Sequence, residues 1–397
     1  MARGSAAWTR VKFGEVVRQV KSKVDPETAG LERYVAGEHM DTDNLRIRRW
    51  GEVGDGYLGP AFHMRFKPGQ VLYGSRRTYL RKVAVADFEG ICANTTFVLE
   101  SSDPTRLLPE FLPFVMQTEA FHEHSKRESK GSVNPYVNFS DLAWYEFALP
   151  PVEEQRRVLP MMAASTYVLQ ETLSLVTAAK TLLRAGLSRL FLLPTIPRRN
   201  LVTASPGWQV KSLEELADPS RPISYGVLKP GEPVNEGVPM LRVMDFDDYG
   251  RRTDTPVLRV ARAVADTSST TYCRAGDLVV SVMATIGRTF VVPQAMDGWN
   301  MNRALALVPC REAQVARLLH AYFQSGFVQS LLSAEKIGSA QPRINLADLR
   351  TLPVPVPNAL DTVLENCDRL FATLDHAERR HDQARAVVSQ LRARALS

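Results

Sequence analysis

The sequence predicts an α+β protein: two mixed α/β modules in tandem, separated by two long helices that pair as an antiparallel coiled coil with pseudo-two-fold symmetry. Three observations lead there. The chain of 397 residues repeats itself at about half its length. Each repeat closes on a proline-rich exit. Each exit then runs into a long stretch with a heptad seam.

The repeat is read from ordered landmarks. Trp8-Thr-Arg-Val-Lys-Phe-Gly-Glu-Val-Val17 resembles Trp208-Gln-Val-Lys-Ser-Leu-Glu-Glu-Leu-Ala217. Phe66-Lys-Pro-Gly-Gln-Val-Leu72 matches Cys273-Arg-Ala-Gly-Asp-Leu-Val279, each with a turn glycine (Gly69, Gly276) before a β-type run. Gly131-Ser-Val-Asn-Pro-Tyr-Val-Asn-Phe-Ser-Asp141 matches Gly338-Ser-Ala-Gln-Pro-Arg-Ile-Asn-Leu-Ala-Asp348, and the offset holds across it: 338 − 131 = 207 and 348 − 141 = 207. At the openings it is 208 − 8 = 200, so the second copy gains about seven residues in between, where loops vary most freely. The exits are Leu149-Pro-Pro151 and Pro353-Val-Pro-Val-Pro357. These landmarks predict modules at 1–150 and 198–357, each followed by a helix, at 151–197 and 358–397.

Both helices carry apolar residues at alternating steps of four and three. The first seam runs Met162, Thr166, Leu169, Leu173, Val176, Lys180, Leu183, Leu187, Leu190; the second runs Val363, Cys367, Leu370, Leu374, Ala377, His381, Ala384, Val388, Leu391. Such a stripe on one helix would pack on its own domain, but two equal helices favour pairing with each other. Met162, Leu169, Leu173, Val176, Leu183, Leu190, Leu370, Leu374, Val388 and Leu391 are the expected coiled-coil and subunit-docking residues. Prolines at 150, 151 and 160 predict a start near Met161, and Pro194 and Pro197 an end. Met162 to Leu190 would span roughly 40 Å. On B-DNA that is about one helical turn, so the rod reads as a ruler between two half-sites.

Inside the modules, short strands are expected at Gly69–Tyr73, Lys82–Ala86 and Asp277–Val282, and helices at Pro109–His124 and Glu312–Leu332. The first module is basic between Arg46 and Lys82, with nine Lys/Arg (46, 48, 49, 65, 67, 76, 77, 81, 82) against Glu52 and Asp55. Tyr73-Gly-Ser-Arg-Arg-Thr-Tyr-Leu-Arg-Lys82 mixes cations and aromatics after a turn, where arginine can pair with guanine or grip phosphate. A charged face can also be merely solvated. The second module interleaves Arg242, Arg251, Arg252, Arg259 and Arg262 with Asp245, Asp247 and Asp248. The polar loops Lys126–Ser132 and Lys336–Arg343 suit approach to phosphate and are equally compatible with plain exposed turns.

Net charge of +6 fits a polyanion partner without demanding one. Cys92, Cys273, Cys310 and Cys367 are scattered, which indicates neither disulfides nor zinc and fits a reduced, cytoplasmic setting. The N-terminus has no signal-peptide core, and no apolar run is long enough for a membrane. There is no GxxxxGK[ST] loop, no GxGxxG after a strand and no HExxH. His122 and His124 have no evident third metal ligand. Asn134-Pro-Tyr136 suggests an amino-methyltransferase motif but lacks the second proline and a cofactor loop, so a turn is expected.

With the repeat, the rod and the missing chemistry together, the chain resembles specificity subunits of type I restriction-modification systems over nearly its whole length. Arg221-Pro-Ile-Ser-Tyr-Gly-Val-Leu-Lys-Pro-Gly231 and Val238-Pro-Met-Leu-Arg-Val-Met-Asp245 are similar to stretches of many target-recognition domains. Tyr34–Asp41 and Leu45–Gly51 look like another recognition lineage, and Pro150-Pro-x-Glu-Glu-Gln155 resembles the usual entry to the helical region. Asn358-Ala-Leu-Asp-Thr lacks that Glu-Gln pair. The resemblance implies a non-catalytic subunit that reads a bipartite, asymmetric double-stranded DNA site. Two methyltransferase subunits would dock on it and supply S-adenosylmethionine. Where a nuclease belongs to the system, two restriction/translocase subunits would bring ATP and Mg. The chain itself would hold no cofactor, metal or catalytic residue. Expected DNA contacts are Arg46, Arg48, Arg76, Arg77, Tyr79, Arg81, Lys126, Arg127 and Lys130 in the first module. In the second they are Tyr225, Lys229, Arg242, Arg288, Arg303 and Arg343. Rival readings are a modification-only or phage-defence methyltransferase system, a coiled-coil protein-binding adaptor, and an unfamiliar nuclease.

Overall fold

The computed structural model describes residues 8–56, 58–132, 134–191, 206–229, 231–334 and 343–395. The chain forms two compact units, Met1–Ser174 with Glu378–Ser397, and Leu175–Ala377. Each unit therefore gathers one module and half of each long helix.

In the first unit the opening strand Thr9–Lys12 pairs antiparallel with the exit strand Glu146–Leu149, Thr9 opposite Leu149. One sheet follows the order Val17–Val20, Thr96–Ser101, Val71–Gly74, Val83–Val85. A second follows Gly51–Glu52, Arg33–Val35, Gly90–Ala93, Phe62–Phe66, with its central pair parallel. The β-branched and aromatic runs expected of strands are buried here: Val71, Leu72, Tyr73, Val83 and Ala84 are all in the core. Gly69 starts its strand from a left-handed turn at φ 85°.

The second unit repeats this plan. Trp208–Ser212 pairs antiparallel with Pro353–Pro357, Trp208 opposite Pro357. Leu213 N–H donates to Leu352 O at 3.0 Å and Asn358 N–H donates to Gly207 O at 2.9 Å, which sets the phase of the ladder. Pro353, Pro355 and Pro357 then fall on the positions that turn their backbone away from the partner strand, so their missing N–H groups cost no ladder bond. The larger sheet runs Ser224–Tyr225, Leu305–Val308, Leu278–Ser281, Thr289–Val291. The smaller runs Leu258–Val260, Val238–Leu241, Asn300–Met301, again with a parallel pair. Strand order thus matches copy for copy, with one difference: among the described residues no strand of the second unit stands where Phe62–Phe66 stands in the first.

The helix expected at Pro109–His124 is two, Leu112–Met116 and Glu119–Arg127, and that expected at Glu312–Leu332 is also two, Ala313–Phe323 and Gly326–Ala334. The breaks are equivalent, Gln117-Thr118 and Gln324-Ser325 (324 − 117 = 207). At each a hydroxyl residue caps the second helix: Phe121 N–H donates to Thr118 Oγ1 at 3.2 Å, and Val328 N–H to Ser325 Oγ at 3.5 Å. The matched Asn-x-x-Asp landmarks are caps as well. Asn138 and Asn345 precede the helices Phe139–Ala143 and Leu346–Arg350, and Asp141 accepts the Asn138 N–H at 3.1 Å.

The first long helix spans Val152–Leu190, so its start precedes the one expected near Met161, and Pro160 lies inside it. The entry is anchored by Gln155, which is fully buried. Its Nε2 donates to Arg106 O at 2.7 Å and Pro150 O at 2.8 Å, and its Oε1 accepts from Leu108 N–H at 2.9 Å. That anchor and the buried Val158 and Met162 offset the roughly 3 kcal/mol of an internal proline. The expected end at Pro194 and Pro197 lies outside the described residues. The second helix spans Leu360–Ala395.

The helices pair antiparallel within the first unit. Arg392 Nη2 donates to Thr166 Oγ1 at 2.8 Å, and Thr172 meets His381 Nδ1 at 2.9 Å, so one chain ascends as the other descends. Met162 and Val388 are buried there, with Leu169 and Leu391 half-buried. In the second unit Val176, Leu183, Leu187, Cys367, Leu374 and Ala377 share one core, Leu190 packs beside it, and Gly186 lies against Leu370, where a Cβ would come within 2.8 Å of Cδ1. Leu173 departs from the seam at 36% exposure; Gln170 turns inward instead, its Nε2 donating to Asn44 Oδ1 at 2.9 Å. An α-helix drifts against a 3.5-residue repeat, and the buried amide pair captures the displaced face. The buried seam residues pack within the chain's own cores, while Leu169, Leu190, Leu370 and Leu391 keep part of their surface exposed.

Candidate nucleic-acid interface

In the first unit the loop after Val71–Gly74 is pinned on three sides. Ser75 N–H donates to Thr95 O (2.9 Å), Val137 N–H to Ser75 O (3.0 Å), and Arg77 N–H to Pro135 O (2.6 Å). Beneath it Thr78 is buried, its hydroxyl 2.7 Å from that of Ser129. Above it Arg76 and Arg77 are exposed, as are Tyr79 and Tyr136. The Arg76 guanidinium lies 5.5 Å from the Tyr136 ring centre. Arg77 is left-handed, φ 50° and ψ 55°. A non-glycine residue in that region is strained, and such residues gather at ligand-contacting sites.

The second unit has the same loop. Met283 and Arg343 form the isolated bridge that Arg76 and Tyr136 form in the first (283 − 76 = 207; 343 − 136 = 207). Ala284 is left-handed at φ 60°, in register with Arg77 (284 − 77 = 207). Four segments close a ring: Arg303 N–H donates to Val227 O (3.0 Å), Val282 N–H to Ala304 O (2.9 Å), Ile344 N–H to Val282 O (3.0 Å), and Tyr225 Oη to Ile344 O (3.1 Å). Lys229, Arg303 and Arg343 are exposed on it.

Other expected contacts are engaged internally. Arg81 pairs with Asp43 at 2.9 Å and Glu119 at 2.7 Å. Arg242 grips the buried Asp245 at 2.7 Å and donates to Pro256 O. Burial alone would raise the Asp245 carboxyl, but hydrogen bonds from Arg242 and Thr255 hold it below the usual carboxylate range. Arg288 binds Asp248 and the carbonyls of Val243 and Phe246. Lys130 sits on the capping carboxylate of Asp141 at 3.0 Å and, as the largest cause, lowers its pKa. These four guanidinium and ammonium groups organise loops. Tyr225, through Ile344, does the same.

The remaining candidates stay at the surface. Arg46 is exposed with no side-chain partner among the described residues. Arg48 donates to Ser174 Oγ at 3.2 Å. Lys126 and Arg127 pair with Glu123 and Glu128, but these are exposed pairs of little strength, readily exchanged for phosphate. Tyr136, Met283, Ala284 and Leu228 (66% exposed) were missed in the sequence. The 207 offset would have exposed three of them, because it aligns Arg76, Arg77 and Tyr136 with Met283, Ala284 and Arg343. Asn134-Pro-Tyr136 is a turn leading into the Arg76 bridge. The described residues hold no cluster of three or more His, Cys, Asp or Glu able to bind a metal, and no helix long and apolar enough to cross a membrane.

Residues 207–375 match the family described as type I restriction modification DNA specificity domain. Over 187 residues the chain is 27% identical to the type I restriction enzyme EcoBI specificity subunit of Escherichia coli, covering 46% of this chain and 39% of that one. Over 156 residues it is 26% identical to the EcoDI specificity subunit of the same organism, covering 38% and 33%. The chain thus aligns with about two fifths or less of these relatives. Two solved structures share the fold along the full length. One, from a study of complex assembly and conformational transition of the type I R-M system, has a TM-score of 0.55 at 21% identity, covering 99% of each chain. The type I restriction-modification S subunit from M. genitalium has a TM-score of 0.51 at 14% identity, covering 100% and 98%. The family match thus covers residues 207–375, and the chain is similar to specificity subunits of type I restriction-modification systems. Its fold is that of two tandem mixed α/β domains with long coiled-coil helices.

Proposed function

We propose that this chain reads a bipartite, asymmetric double-stranded DNA site for a type I methyltransferase complex and does no chemistry itself. The observation that supports this most is the duplicated loop, strained at Arg77 and again at Ala284, with exposed cations beside each. Modules 1–150 and 198–357 each take one half-site. Arg76, Arg77, Tyr79, Lys126 and Arg127 serve the first; Lys229, Arg303 and Arg343 serve the second. The cations differ between copies, as an asymmetric site requires. The paired helices set the gap between the half-sites.

Two methyltransferase subunits dock on the helices and bring S-adenosylmethionine; restriction/translocase subunits with ATP and Mg complete a nuclease-bearing system. Docking uses the seam residues left partly exposed, such as Leu173, together with the outward stripe of the first helix. Met161, Val168, Leu175 and Leu182, one every seventh residue, are exposed apolar side chains on that helix.

The test is to assemble the chain with its methyltransferase subunits and map methylated adenines. One split sequence is expected. Arg76→Ala with Arg77→Ala should lower affinity for it at least tenfold, the loss of about one good base or phosphate contact. Methylation without a split consensus, or unchanged affinity as a protein-binding adaptor would give, refutes the reading.

A further inference from the structure

In the first unit, the chain leaving the strand Val17–Val20 pairs with Phe62–Phe66: Arg65 N–H donates to Ser22 O at 2.8 Å and Val24 N–H to His63 O at 2.9 Å. Phe62–Phe66 in turn closes the edge of the smaller sheet beside Gly90–Ala93. The described residues of the second unit form no such strand. Its counterpart to Gly90–Ala93 is Asn300–Met301, and the edge there is taken by the segment Tyr225–Lys229 itself. Val227 N–H donates to Met301 O at 2.8 Å, and Val227 pairs in parallel with Asn302. Gly226 permits this approach, since a Cβ there would lie 2.2 Å from Met301 O and 2.4 Å from Asn302 O.

This docking has a consequence for the next residue. Leu228 directly follows Val227, which backbone bonds hold on a sheet edge, and its side chain is 66% exposed. It packs no core. Lys229 follows it, and Arg303, whose N–H binds Val227 O, stands alongside; both are exposed. An exposed apolar side chain next to a backbone-anchored residue, with cations suited to phosphate nearby, is suited to an apolar group on a base edge. In the major groove that group is the thymine C5-methyl.

We propose that Leu228 is a specificity-determining residue of the second unit and reads a thymine methyl, with Lys229 and Arg303 on the flanking phosphates. The inference rests on the DNA-reading function proposed above. It also assigns a physical origin to the unlike halves: the first unit fills the sheet edge with a strand, and the second fills it with a reading segment.

The experiment uses the full chain assembled with its methyltransferase subunits, on duplexes carrying the mapped site. Each thymine of the second unit's half-site is replaced in turn by deoxyuridine, which removes only the methyl. One position should lose about fourfold in affinity, the worth of burying one methyl-sized group. In Leu228→Ala that penalty should vanish. Lys229→Ala should weaken binding at every sequence alike and keep the penalty. Leu228→Ala is a surface change, so folding is preserved, and unchanged reading of the first half-site verifies it. A specific site with no deoxyuridine penalty, or with the same penalty in Leu228→Ala, overturns the inference alone. A complex with no specific site overturns the functional reading and the inference with it.

Discussion

Gln155→Leu isolates the anchor of the first long helix. The substitution keeps the side-chain volume and removes three hydrogen bonds at a fully buried position: two donated by Nε2, to Arg106 O and Pro150 O, and one accepted by Oε1 from Leu108 N–H. The three backbone groups are left without these partners. At about 1 kcal/mol each, the low end for an orphaned buried group, the loss is about 3 kcal/mol. In a unit of this size that lowers its transition by roughly 6–12 °C. The second unit has Thr362 at the equivalent position (362 − 155 = 207), exposed on its helix, so nothing there depends on this anchor. Hydrogen exchange resolved by segment should therefore show lost protection in residues 8–174 and unchanged protection in 206–377. A loss below about 1 kcal/mol, or equal loss in both units, would refute the reasoning.

Arg77→Gly should stabilise the first unit by about 1 kcal/mol, because glycine adopts the left-handed conformation without strain, while DNA affinity falls; urea titration and gel shift read the two effects separately. Gly226→Ala places a Cβ against backbone oxygens of Met301 and Asn302 and should cost about 2–3 kcal/mol, with sequence discrimination lost at the second half-site and kept at the first. The pH dependence has a definite sign. Burial lowers the His320 pKa to about 4 from an ordinary 6.5, so the folded state favours the neutral ring. That stability is fully present above pH 6.5 and is lost as pH falls towards 4. At pH 5 the loss is about 2 kcal/mol. His122, lowered by burial to about 3, adds a like loss that also begins near pH 6.5 and continues down towards 3. Urea midpoints at pH 7.5 and 5 should differ in the wild type, less in His320→Gln, and converge when His122→Gln is added; equal midpoints in the wild type would contradict the burial of neutral rings.

Much of the fold was legible because its signals are local. Turn glycines Gly69 and Gly276, the capping Asn-x-x-Asp pairs and the proline exits each act within a few residues of themselves, so their repetition at one offset reveals a repeated structure. The heptad steps of the second helix mark its inward face from Cys367 to Leu391 for the same reason, while at its start Leu364 is buried in place of Val363. The first helix was legible only in part. Its start depends on Gln155 reaching Arg106 and Leu108, and its register near Leu173 depends on Asn44. None of these partners lies on the helix.

The candidate site shows the same division. By itself the sequence determined the duplication, the class of fold, the two matched loops and the presence of many cations near them. Only the tertiary structure decided which cations remain available. Arg81 is spent on Glu119, 38 positions away, and Arg288 on Asp248, 40 positions away, whereas Arg76 and Arg303 are left at the surface. It also decided that Leu228 follows a residue docked on a sheet edge, an edge that no strand among the described residues covers in the second unit. Backbone periodicity, turns and caps are set by neighbours in sequence. The pairing of a charge and the exposure of an apolar residue are set by whatever the fold brings alongside.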